Sequence, residues 1–257
     1  MIRGTGYRTP KPDKRDYEWP IQRLGVTAAT PIGHADNSWQ TLSVLDQGSL
    51  GSCTLHKIAQ LIRANAVKEG GPTHLISRML GYRNTLSLAG DGLNDVGSDP
   101  RTAMKAINRW GICREDLWPY DVDHWKRWPG SGDRAIQAAY DYARTTRWEY
   151  AWITSTGAQR VTDVKLALDA GFQVGDGGAI GDEYGSWKPG DKPLDPPTVI
   201  TGHHARVIEG YNGEVFRELG SWGTSLGDDG RVEISADYVA SPAMSSLLII
   251  RKAPVLV

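Results

Sequence analysis

The hydrophobic pattern of this chain changes period part-way along, and that change limits the folds open to it. Before Gly171, apolar residues recur at spacings of three and four; from Phe172 onward they alternate with polar residues or glycine. The spacing predicts a helix from Cys53, with Leu55, Ile58, Ala59, Ile62 and Ala66 on its repeating positions and Gly70-Gly71 as the stop. Further helices are expected over 74–88, over 100–110 with Asp99 as N-cap and Pro100 in the first turn, over 133–146, and over 162–170. Strands are expected over 173–180, 205–211, 214–219, 231–234 and 246–252, with Asn212-Gly213 as a hairpin turn. Residues 185–198 read as a proline-rich loop. Residues 1–40, interrupted by Pro10, Pro12 and Pro20, read as an extended arm lying over the surface. The whole reads as α+β within 1–257: the arm, a helical lobe over about 41–150, and an antiparallel, β-rich lobe over about 151–257. A site is expected in the cleft between the lobes.

Composition removes several function classes. Two cysteines among 257 residues cannot supply a disulfide framework or a four-cysteine metal site. A formal net charge of −1 gives no phosphate-tracking surface, so no nucleic-acid role is expected. No apolar run reaches the length of a membrane span. The first residues lack the apolar core of a secretory signal, which together with few cysteines fits a cytoplasmic location.

Three segments carry chemistry. In Asp46–His56 (DQGSLGSCTLH) a glycine-rich turn delivers Cys53 to the first turn of a helix, where unpaired N–H groups and the helix dipole favour a thiolate. The Gln47 amide could return across that turn and, with the Cys53 backbone N–H, form an oxyanion hole. The other reading of Cys53 is a small buried apolar residue at a helix start. In Gly202–Asn212 (GHHARVIEGYN) two histidines stand at the mouth of a strand, and alternation lets only one of His203 and His204 face the cleft. A thiolate needs such an imidazole; a histidine can equally be structural, and no carboxylate or cysteine cluster completes a metal set. In Leu219–Gly230 (LGSWGTSLGDDG), Trp222 reads as a buried aromatic in a glycine-rich turn.

Taken in order, these segments resemble papain-like cysteine peptidases of the C1 type, especially their compact bacterial and phage-encoded branch. DQGSLGSC is similar to the family's DQG-x-x-GSC, HARVIEGYN to its His-Ala…Gly-Tyr strand, and GSWGTSLGDDG to its Asn-Ser-Trp-Gly block. PDKRDYEW and GICREDLWPY resemble two further elements of the branch, so the likeness runs from about residue 12 to 250. The resemblance implies a two-lobed papain-like fold with Cys53 as nucleophile, His204 as general base and acid, and Gln47 as oxyanion donor. Trp222 would cover the histidine. The family's imidazole-orienting asparagine falls on Gly220, which has no side chain to accept a hydrogen bond, and its second tryptophan falls on Leu226. Ser221, a water or a backbone carbonyl is the expected substitute. Arg206 and Glu209 are unusual on the His204 strand, and alternation puts Arg206 on the His204 face. Leu50 stands where secreted members carry a disulfide cysteine, and no propeptide is visible in the sequence. Cys113 reads as buried filler, His56 and Lys57 as helix-surface or packing residues, and 118–128, rich in Trp, as lobe interface or cleft rim. Asp176, Asp182 and Glu183 read as solvated loop carboxylates.

The expected function is hydrolysis of peptide bonds in a peptide or protein substrate, by a monomer needing no cofactor or metal, in the cytoplasm or associated with a phage. The alternative is a weakened or inactive papain-like protein that binds a peptide or protein in its cleft. A third reading is amide hydrolysis or transfer on a non-protein substrate such as cell-wall peptide.

Overall fold

The computed structural model describes residues 4–14, 21–123, 125, 141 and 148–252. Seven antiparallel strands form one sheet in the order β2-β7-β3-β4-β5-β6, with β1 paired to β4. They are β1 (His34–Asp36), β2 (Trp148–Ile153), β3 (Val174–Ile180), β4 (Gly202–Asn212), β5 (Val215–Leu219), β6 (Arg231–Ser235) and β7 (Leu247–Lys252). The helices are α1 (Cys53–Lys68), α2 (Arg78–Ala89), α3 (Pro100–Trp110), α4 (Gly157–Asp169) and the short α5 (Asp182–Ser186) and α6 (Ala236–Ala240). None is long and apolar enough to cross a membrane. The helix expected over 133–146 lies outside the described residues.

Side-chain alternation along the strands divides the interior into two cores. Leu248 and Ile250 of β7 join Trp148 and Trp152 of β2 in the core under α1, α2 and α3. Leu247 and Ile249 point the other way, with Ala151 and Ile153, into the core under α4. The antiparallel register Trp148↔Lys252 to Ile153↔Leu247 fixes this partition. β2 was not anticipated, because WEYAWI follows a stretch of helical spacing; its aromatic alternation is a strand signal that the helical first half concealed.

Helix α1 is the axis of the molecule, and every side chain from Cys53 to Asn65 is buried. Its polar residues are therefore packing residues rather than surface ones. Arg63 donates to Ser43 Oγ and its carbonyl, Gln60 to Gln173 Oε1, and Lys57 Nζ to the Asp176 carbonyl at 3.0 Å. His56 meets Tyr120 edge-on and is bonded at Nε2 by Arg78. Trp118 and Trp125 belong to the core of the helical side rather than to a cleft rim, and Trp128 lies outside the described residues.

The anticipated strands 205–211 and 214–219 are present, joined by a turn in which Gly213 adopts φ +58°. The amino-terminal arm departs from expectation. Residues 34–36 pair with the end of β4, His34↔Asn212 to Asp36↔Gly210, beyond the point where β3 begins. Gly4 and Tyr7 are buried against the turn 46–52 and Cys53, while Thr5 and Arg8 between and after them stay exposed.

Candidate active site

Cys53 opens α1 at the end of the turn 46–52, in which Gly48 takes φ +57°. The preceding Ser52 makes no capping bond to the helix; its hydroxyl pairs with Tyr120 Oη at 2.6 Å. Cys53 is 0% exposed. Its thiol is enclosed by Tyr7, by Ala205 and by the backbones of Ala205 and Gly6, both of which hydrogen-bond it. Burial raises the thiol pKa and outweighs those bonds and the nearby Lys57 ammonium. The thiolate anticipated from the helix terminus is therefore disfavoured while the site is covered. Cys113, the other thiol, is buried in the helical-side core with its pKa pushed up to about 12, as filler would be.

Gln47 is held from every side. Its backbone N–H donates to the Ser221 carbonyl and its carbonyl accepts from Tyr120 Oη, both at 2.9 Å. Its Nε2 donates to Leu50 O at 2.6 Å and to Gly4 O at 3.0 Å, while Oε1 accepts from Ser221 Oγ at 2.6 Å. Trp222 Nε1 reaches the same Gly4 carbonyl at 3.1 Å. Ser221 thus orients the glutamine, and the structure gives it no bond to His204.

His204 lies on β4, whose alternation buries it and leaves its neighbour His203 exposed. The imidazole packs on Trp222 (centroids 4.6 Å apart, planes at 32°) and meets the edge of Tyr184 at 6.0 Å. The Cys53 thiol touches the main chain at Ala205, the next residue. Neither His204 nitrogen has a hydrogen-bond partner among the described residues. Burial, then the Arg206 charge, then Lys57, hold its pKa well below the imidazole range. The anticipated influence of Arg206 is present, as a depression.

Gly220 supplies nothing to the imidazole, and its surroundings are filled. A Cβ there would stand 2.6 Å from Leu226 Cδ2 and 3.1 Å from Tyr184 Oη. The two departures from the family pattern are thus one event in space: Leu226 takes up the room next to Gly220. Asp176 is not a solvated loop carboxylate. It sits on β3 with no exposure, and Arg206 contacts it through Nε and a terminal nitrogen at 2.9 and 2.7 Å. Glu218 completes this buried cluster at 3.2 Å from Arg206. The other unusual strand residue, Glu209, is neutralised by Arg231 at 2.7 Å. Asp182 and Glu183 are exposed on α5, away from the thiol's contacts. Among the described residues no group of three His, Cys, Asp or Glu could hold a metal ion.

The arm was the feature missed. Ser98 N–H donates to Gly6 O at 2.8 Å and its carbonyl accepts from Arg8 N–H at 3.1 Å, an isolated parallel bridge that pins Tyr7 beside Cys53. A signal for it existed in the alternation of Gly4 and Gly6. A Cβ at either position would come within 2.2 Å of Leu50 O or 2.1 Å of Gly51 O, so only glycine lets the backbone approach this closely.

No protein-family model matches the chain. An uncharacterized peptidase C1-like protein of Acanthamoeba polyphaga mimivirus is 30% identical over 273 residues, covering 96% of this chain and 86% of the viral one. The chain belongs to the papain-like C1 peptidase family. Solved structures agree on the papain-like fold. Xylellain, a cysteine protease from Xylella fastidiosa, superposes with a TM-score of 0.77 at 26% identity, over 99% of this chain and 98% of its own. The digestive procathepsin L 3 of Tenebrio molitor gives 0.68 at 14% identity, over 97% and 76%. A Carica candamarcensis cysteine protease in complex with E-64 gives 0.62 at 20%, over 86% and 99%. Within this C1 fold, the turn 46–52, strand β4 and the loop after β5 carry the residues singled out from the sequence.

Proposed function

We propose that the chain is a single-domain cysteine peptidase that hydrolyses peptide bonds through a Cys53 thioester, and that residues 4–8 cover its site in this conformation. The observation that carries the reading is the Gly4 carbonyl, a main-chain peptide oxygen bound by Gln47 Nε2 at 3.0 Å. A preorganised donor facing a peptide oxygen beside a cysteine is what stabilisation of a tetrahedral oxyanion needs. When a substrate replaces the arm, the Cys53 thiolate adds to the scissile carbonyl carbon. Gln47 Nε2 and the Cys53 N–H hold the resulting oxyanion. His204 then gives its proton to the departing amine, and later takes one from the water that cleaves the thioester. The covered site is buried, which favours a neutral thiol and a neutral imidazole; displacing the arm exposes both to solvent and allows the ion pair to form.

A second reading is supported by the unpartnered His204 and by the absence of a side chain at Gly220: a cleft that binds a peptide without turning it over. Mass spectrometry of a peptide library incubated with the chain and with Cys53→Ala separates the two. The peptidase reading expects cleavage that Cys53→Ala and His204→Ala both abolish. Rapid alkylation of Cys53 without any cleavage would instead support the binding protein.

A further inference from the structure

We propose that Tyr120 is a positioning residue for the oxyanion hole, presented by the element GICREDLWPY, residues 111–120. The proposal rests on the peptidase reading and deepens it. The turn 46–52 has glycine at 48 and 51, and both cysteines of the chain are free, so no disulfide ties the turn down. The Tyr120 hydroxyl touches both of its ends. It donates to the carbonyl of Gln47 at 2.9 Å and meets Oγ of Ser52, the residue before Cys53, at 2.6 Å. Ser221 sets the orientation of the Gln47 amide. Tyr120 sets how far Gln47 stands from the residue that leads into Cys53, because one oxygen is bonded to both.

The bonds around that hydroxyl have a fixed direction. The phenol has one proton, which Gln47 O accepts, so Ser52 Oγ donates in the second bond. Arg78 Nη1, which can only donate, lies 2.7 Å from His56 Nε2. The His56 proton is therefore on Nδ1, which donates to the Ser52 carbonyl at 3.1 Å. The same guanidinium donates to Glu115 at 2.8 Å from Nε and 2.5 Å from Nη2, and it lies over the Tyr120 ring, 4.4 Å from the centroid. Glu115 and Tyr120 thus act from one element, which the segment before α2 holds in place. Ser77 N–H donates to Cys113 O and Glu115 N–H to Leu75 O, both at 2.8 Å, and Ser77 Oγ donates to Trp118 O at 2.7 Å.

The test introduces Tyr120→Phe into the full-length Gly6→Val chain, in which the arm cannot approach Gly51. Phenylalanine keeps the ring against His56 and Arg78 and removes only the hydroxyl. If that variant fails to fold, Ser52→Ala removes the same bridge from its other end. On one peptide substrate kcat should fall about tenfold with KM unchanged, because a displaced oxyanion donor is missed in the transition state. In the Gln47→Ala background the same substitution should change kcat by less than about twofold, since the group it positions is gone. A tyrosine with only a structural role would lower kcat by equal factors in both backgrounds; that result, or an unchanged kcat, overturns the proposal. If the Gly6→Val chain cleaves no peptide, the peptidase reading fails, and NMR of the isotope-labelled parent chain still decides the positioning. The Gln47 side-chain amide resonances, identified by their loss in Gln47→Ala, should shift in Tyr120→Phe. Unshifted resonances overturn the proposal.

Discussion

Ser221 Oγ donates to Gln47 Oε1 at 2.6 Å, and this bond sets which end of the glutamine amide faces the covered cysteine. Two carbonyl oxygens, of Leu50 and Gly4, lie on the other side and require the nitrogen there. Ser221→Ala should therefore loosen the oxygen end of the amide, leaving its nitrogen held by the carbonyls alone. A net hydrogen bond of roughly 1 kcal/mol corresponds to about a fivefold fall in kcat with little change in KM. Gln47→Ala should cost more, on the order of 100-fold in kcat. Steady-state kinetics on one peptide substrate check both.

Restoring an asparagine at 220 should not by itself raise activity. The new side chain would collide with Leu226, which is fully buried, so Gly220→Asn should lose about 1–3 kcal/mol from overpacking. Pairing it with Leu226→Ala should recover part of that loss, giving a favourable coupling in a double-mutant cycle read from urea midpoints. Additive losses would show that the two positions do not share a space.

Glu218 predicts a pH dependence of stability. Burial, opposed by the Arg206 charge, raises its folded pKa well above the usual carboxyl range, so the folded chain keeps a proton that the unfolded chain releases near pH 4.3. The folded state then binds more protons, and stability falls as pH rises from about 4.3 toward the folded value. Glu218→Gln cannot release that proton. Its stability relative to the parent should rise between pH 5 and pH 8. Unfolding midpoints at the two pH values measure this.

Gly6→Val should expel the arm from the cleft, because its Cβ would meet Gly51 O at 2.1 Å. Iodoacetamide should then modify Cys53 at least about tenfold faster at neutral pH, since both the cover and the burial that raises the thiol pKa are removed. Cys113 should stay inert and serve as the internal control.

The parts of the fold and site legible in the sequence were those written in short local patterns. Asp99-Pro100 marked the start of α3, Asn212-Gly213 marked the β4–β5 turn, and period two separated His203 from His204. The parts that were not legible depend on segments far apart in the chain. Nothing near Ser221 announces that it will bond Gln47, and nothing near Tyr7 announces Ser245 and Ser246. Asp176 read as a solvated loop carboxylate and Lys57 as either a helix-surface or a packing residue, because a charge is normally solvated; each is buried here because a partner from another element neutralises or bonds it. Gly220 and Leu226 looked like two separate departures because only the folded chain shows them contending for one space.

The pairing of β1 with β4 has a consequence for kinetics. Because His34–Asp36 fix the arm to the sheet, the segment that fills the cleft is a tethered ligand, and a tether supplies it at a local concentration of millimolar order. Dilution does not release it. A substrate then binds with its intrinsic dissociation constant divided by the fraction of molecules whose arm is out. Under the peptidase reading the observed KM would thus be set jointly by the substrate and by residues 4–8, and a change in that segment would alter substrate demand without touching a residue of the cleft.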